Sequence, residues 1–125
     1  MKNIIFIGIG GFLGSISRFL LSKWIHSNFL SSFPFGTLIV NIIGCLLLGI
    51  FTGFIDEDLL ISENFKLMVI TGFCGGFTTF STFTNENFMM LRNGEYVYAL
   101  IYILMSILAG FVALITGRMI VKTII

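Results

Sequence analysis

Charge is what this chain most lacks: Asp, Glu, Lys and Arg make up only 10% of its 125 residues, where an ordinary soluble domain carries about a quarter. With 57% hydrophobic residues and a mean hydropathy of +1.06, the composition excludes a water-solvated globule and requires an integral membrane protein. The other scarcities narrow the class further. The single proline, Pro34, rules out a proline-rich linker; just before an apolar run, its fixed φ and missing N–H suit a helix start. The single histidine, His26, stands beside Trp24 and offers neither a catalytic triad nor a metal cluster, whereas an interfacial aromatic belt explains the pair. Cys45 and Cys74 show no metal or redox spacing and read as small buried hydrophobes. No phosphate loop, long repeat or low-complexity tract is visible, so an enzyme is not expected and the chain reads as one domain over 1–125.

What is present is four charge-poor runs, Ile4 to Leu21, Phe35 to Ile55, Leu67 to Asn85 and Tyr96 to Gly117, each near the roughly 20 residues that cross a bilayer as a helix. They predict an all-α membrane domain with helices over about 4–24, 34–55, 66–91 and 96–121, the third broken near 75–79. The acidic stretch Asp56-Glu57-Asp58, running on to Glu63 and Lys66, is expected to be a hydrated connection. Lys2 before an apolar run resembles a secretory signal, but Arg18 interrupts the run and no small-x-small cleavage site follows; a retained first helix is expected.

Lys2, Lys66, Arg118 and Lys122 fall on one side of such a bundle and Arg18, Lys23 and Arg92 on the other. Four against three gives the positive-inside rule little to act on. The count allows insertion in both orientations, with opposite copies pairing about a two-fold axis in the membrane plane; it equally allows one orientation set by a dominant helix end. Four tightly packed helices leave little interior for a polar channel, so a conducting path is expected between subunits.

The most informative stretch is Gly72-Phe73-Cys74-Gly75-Gly76-Phe77-Thr78-Thr79-Phe80-Ser81-Thr82-Phe83. Lipid cannot hydrate its hydroxyls or an irregular backbone, so a broken helix lining a permeation path is the expectation. Phe80 and Phe83, three residues apart, share a helical face, and ring edges carry the positive part of the aromatic quadrupole, which can face an anion. Thr37 and Asn41 share a face of the second helix, and Tyr102 and Ser106 a face of the fourth. The Asn41 amide can glue helices or donate to a passing anion, and both readings stand. Carbonyls freed by the break could hold a hard monovalent cation. Arg18 can snorkel or line a vestibule, and Glu86 is read as closing the third helix as an interfacial anchor.

The segments Gly10-Gly11-Phe12-Leu13-Gly14-Ser15-Ile16-Ser17-Arg18-Phe19, Pro34 to Gly44, and Gly72 to Phe83 with Glu86 together resemble the Fluc/CrcB family of fluoride channels over nearly the full length. Ser15 stands where that family more often has alanine, and the fourth helix is matched only by Tyr102 and Ser106. The resemblance implies a dual-topology antiparallel homodimer with two pores, in contact with membrane lipid and without a nucleic-acid partner, in the cytoplasmic (inner) membrane of a bacterium or similar microbe. It implies that Phe80 and Phe83 line the anion path. Asn41 would be an amide donor there, with Thr37, Thr79, Ser81, Thr82, Tyr102 and Ser106 as further donors. It also implies a structural sodium ion at the dimer centre held by carbonyls of Gly75 and Thr78, a vestibule at Arg18, a polar-track or interface role for Glu86, and passive export of cytoplasmic fluoride. A proton-coupled exporter of the small multidrug resistance type is the rival reading. It needs a carboxylate deep in the membrane, which the first, second and fourth helices lack in their interiors.

Overall fold

The computed structural model describes residues 1–57 and 60–125; Asp58, part of the acidic loop expected above, lies outside the described residues. Among them the chain is helical without strands, with four helical stretches long and apolar enough to cross a membrane, Lys2–Asn28, Phe35–Asp56, Glu63–Arg92 and Tyr96–Ile124. It is a multi-pass membrane protein. α1 (Lys2–Asn28) ends where Ser27 Oγ and Asn28 Nδ2 both donate to the Trp24 carbonyl at 2.8 Å, covering an acceptor that the terminating helix leaves open. α2 (Phe35–Asp56) begins directly after Pro34, and Asp56 at its end pairs with Arg118.

The third span is composite. α3 (Glu63–Lys66) starts on Ser62, whose Oγ accepts from Phe65 N at 3.3 Å. A π-helical segment, Leu67–Cys74, follows, then the single turn α4 (Gly75–Phe77), an interruption at Thr78-Thr79, and α5 (Phe80–Arg92). Asn93-Gly94-Glu95 closes α5: Gly94 takes φ 78°, and the Gly94 and Glu95 N–H groups donate to the Leu91 and Met90 carbonyls at 3.1 and 2.8 Å. This is the Schellman pattern, for which glycine is the inexpensive residue. α6 (Tyr96–Ile124) completes the chain.

Helices inside lipid gain little from the hydrophobic effect and pack instead by close approach of small residues. Two pairs use this. A Cβ built on Gly10 would strike the Met68 carbonyl, and one on Gly14 the Phe73 carbonyl, while Gly72 and Gly76 press back against the α1 backbone around Ile7 and Gly11. Likewise Gly49 of α2 lies against the Leu114 carbonyl, and Gly117 of α6 against the Leu46 carbonyl. Contacts advance in the same direction along both members, so α1 runs parallel to the third span and α2 parallel to α6. The largest apolar side chains of α1 and α6, such as Phe12, Phe19, Leu108 and Phe111, point outward, as lipid-facing residues do. The buried side chains gather where α2, α5 and α6 meet: Leu38, Met90, Ala99 and Tyr102, backed by Phe33, Ile42 and Phe83.

Candidate functional site

The interruption lies at two residues rather than five. The glycines of the expected break, Gly75 and Gly76, are helical, and only Thr78 (φ −81°, ψ 156°) and Thr79 (φ −145°, ψ 114°) are extended. The reason is long-range. Thr79 N donates to Asn41 Oδ1 at 2.8 Å, and Asn41 Nδ2 donates to the Thr79 carbonyl at 3.2 Å, so one amide of α2 pairs both backbone groups of a residue that is 8% exposed. Thr79 then caps α5: its Oγ1 accepts from Thr82 N at 3.3 Å and donates to Thr82 Oγ1 at 3.0 Å. Thr78 Oγ1 donates back to the Cys74 carbonyl at 2.9 Å.

These bonds release two carbonyls. In an unbroken helix the Gly75 oxygen would accept from Thr79 N and the Thr78 oxygen from Thr82 N, but both donors are diverted, to Asn41 and to Thr79 Oγ1. Gly75 also has open space where a Cβ would stand. Two uncommitted oxygens at the break suit a hard cation, which takes oxygen ligands.

Beside the break runs a groove of about 440 Å³, lined by Asn41, Gly44, Cys45, Thr79, Phe80, Phe83 and Ser106 among others, with Gly75 and Thr78 on its wall and no ionisable carboxylate, ammonium or guanidinium in its lining. Phe80 and Phe83 stand 5.9 Å apart between ring centroids, tilted by 37°. They are not equivalent: Phe80 is 79% exposed, whereas Phe83 is half-buried and packs on Tyr102 at 5.0 Å. Asn41 spends one N–H on Thr79 and keeps the second; the Ser106 hydroxyl, buried on the groove wall, has no partner among the described residues. The groove is thus lined by aromatic rings and neutral polar side chains.

A second, open chamber of about 620 Å³ is lined by Arg18, Thr37, Thr79, Thr82 and Glu86 among others. Thr79 lines both spaces, so the interruption stands between them. Glu86 does not close a helix as expected. It sits in the middle of α5, half-buried, accepting from Thr37 Oγ1 at 2.6 Å and from Tyr102 OH at 2.8 Å. A carboxylate read as a membrane edge is held inside because two hydroxyls from α2 and α6 satisfy both of its oxygens. Tyr102 is fully buried, its hydroxyl turned to Glu86. Ser81 is exposed and lines neither space. Sequence reasoning missed Asn87, which is 7% exposed, donates to the Phe83 carbonyl at 2.9 Å and leaves Oδ1 unpartnered. An amide one residue beyond a mid-span carboxylate was the available signal.

Comparison with known proteins follows the same lines. The family profile described as "CrcB-like protein, Camphor Resistance (CrcB)" matches residues 5–118. The chain is 42% identical to a protein of Flavobacterium psychrophilum named "Fluoride-specific ion channel FluC", over 98% of each chain. Proteins of the same name from Chlorobium chlorochromatii (43% identity, 92% of this chain and 88% of the relative) and Azobacteroides pseudotrichonymphae (44%, 94% of each) are similar to it as well. At this identity, over nearly the whole of both chains, the protein belongs to the CrcB family.

Proposed function

We propose that this chain is a fluoride-selective channel that lets cytoplasmic fluoride leave passively through pores formed with a second, oppositely oriented copy, and that it resides in the inner membrane of its host. The observation that carries the reading is the charge-free groove at the break, lined by Phe80, Phe83, Asn41 and Ser106; the names of its relatives support it. Those relatives are channels, and the reading is of a conductor rather than an enzyme.

Neutral donors and ring edges can replace part of an anion's hydration without the deep well that a fixed cation would create, which conduction requires. In this reading Arg18 raises the local anion concentration in the chamber. Thr82 donates its O–H to the anion there, the O–H groups of Thr79 and Thr37 being given to Thr82 and Glu86, and Asn41 hands the ion to the groove lined by Phe80, Phe83 and Ser106. Ser81 takes part only if a second copy covers the exposed face of α5. The Gly75 and Thr78 carbonyls would hold sodium where two copies meet, and the bound cation would supply a fixed positive centre that ties the two interruptions together. A groove open along one side of the monomer fits a path completed by a partner.

The test is fluoride efflux from proteoliposomes, read with a fluoride electrode under valinomycin, with chloride efflux in parallel. Rapid fluoride release with little chloride release is expected; none from a folded preparation would overturn the assignment.

A further inference from the structure

The chamber beside Thr79 holds more positive charge than a route for one small anion explains. Besides Arg18 it is lined by Lys23 and His26, with the hydroxyls of Ser15, Ser22 and Ser32. Arg18, Ser22 and His26 follow at intervals of four, so one face of the last turns of α1 carries them. Neither Arg18 nor Lys23 has a carboxylate partner among the described residues, where the ion pair that forms is Arg118 with Asp56. The Lys23 ammonium lies 5.9 Å from the Phe19 ring centroid. The carboxylate in the lining, Glu86, is occupied by Thr37 and Tyr102. The first turns of α2 and α5, with Gly36, Thr37 and Thr82, also open on this space, adding the positive ends of two helix dipoles.

We infer that this chamber is a binding site for a phosphoryl oxyanion, either inorganic phosphate or a lipid phosphodiester, held by Arg18 and Lys23. A guanidinium matches two oxygens of a tetrahedral anion at once, and an ammonium takes a third as a point charge. The serine hydroxyls and the His26 ring supply further donors. The space, about 620 Å³ and open to solvent, admits a multi-oxygen anion with part of its water. The affinity of the bound oxyanion falls with rising salt.

The site is tested without transport, so its failure and the failure of the channel assignment are read separately. Purified protein in a non-ionic detergent is dialysed to equilibrium against radiolabelled inorganic phosphate and, separately, against dihexanoyl phosphatidylglycerol. Saturable binding of at least one of them is expected, weakened roughly tenfold or more in Lys23→Gln, which loses one charge-assisted hydrogen bond, and by more in Arg18→Gln, which loses two. Phosphate binding alone identifies the free ion as ligand, and tighter phosphatidylglycerol binding identifies the headgroup. Lys23→Gln, at an exposed position near the end of α1, keeps the test decisive if Arg18→Gln does not fold. No saturable binding of either probe, or binding unchanged in the folded variants, would overturn the proposal.

Discussion

Replacing Asn41 by alanine removes both hydrogen bonds that hold Thr79, its N–H to Asn41 Oδ1 at 2.8 Å and its carbonyl to Asn41 Nδ2 at 3.2 Å. If each bond carried only the mean worth found between membrane helices, about 0.6 kcal/mol, the loss would be close to 1 kcal/mol. If both Thr79 groups were left unsatisfied, it would approach about 6 kcal/mol. Thr79 is 8% exposed, so the upper half of that range applies and about 3–5 kcal/mol is expected. Two measurements read it. Thermal unfolding in detergent, followed by Trp24 fluorescence, should shift well below wild type, and hydrogen exchange at the Thr79 amide should accelerate by orders of magnitude while amides of α6 keep their protection. Asn41→Asp keeps the acceptor for Thr79 N but loses the donor to its carbonyl, so it should protect the amide while remaining less stable than wild type. An unchanged melt together with a protected Thr79 amide in Asn41→Ala would refute the claim that this one side chain sustains the interruption.

Glycine substitutions separate packing from propensity. Gly49→Ala drives a methyl group onto the Leu114 carbonyl and should lower stability by about 1–3 kcal/mol, whereas Gly8→Ala, with open space around it, should be neutral or up to about 1 kcal/mol stabilising; equal melts would sink the account of the α2–α6 contact. Phe80→Ile and Phe83→Ile should each slow fluoride efflux, by about fivefold if one ring edge is worth about 1 kcal/mol. Only Phe83→Ile should also lower the melting temperature, since only Phe83 packs on Tyr102; wild-type efflux in both would remove the ring-edge argument. Glu86→Gln turns one of two accepted hydroxyls toward an amide N–H and should cost about 1–2 kcal/mol. Proton-driven drug transport that this substitution abolishes, from protein that releases no fluoride, would move the assignment to a carboxylate-dependent exporter.

The four spans were legible because lipid imposes one demand on every residue of a run, and ten or twenty side chains vote together on the answer. The break was legible as a stretch too polar for lipid, but its two-residue extent was not. Gly75 and Gly76 read as the weak point, yet Gly76 packs on α1 and both are helical, while the true interruption is fixed by an amide 38 residues away. The π-helical turn at Leu67–Cys74 carries no compositional mark. Glu86 was read as an edge because nearby sequence shows only its charge, whereas its partners Thr37 and Tyr102 lie 49 and 16 residues distant. Site chemistry was thus readable as residue types on faces, and not as which group satisfies which.

The parallel pairing of α1 with the third span and of α2 with α6 bears on how the molecule is assembled during synthesis. Neither of the first two helices can meet its glycine-matched mate until the loop after α2 has passed and the later half has entered the bilayer. Two fragments cut between residues 57 and 60 would each own one member of both pairs, so neither should hold native structure alone. Co-expressed, they should recombine, because the seam between them is the same close helix contact that joins the intact chain.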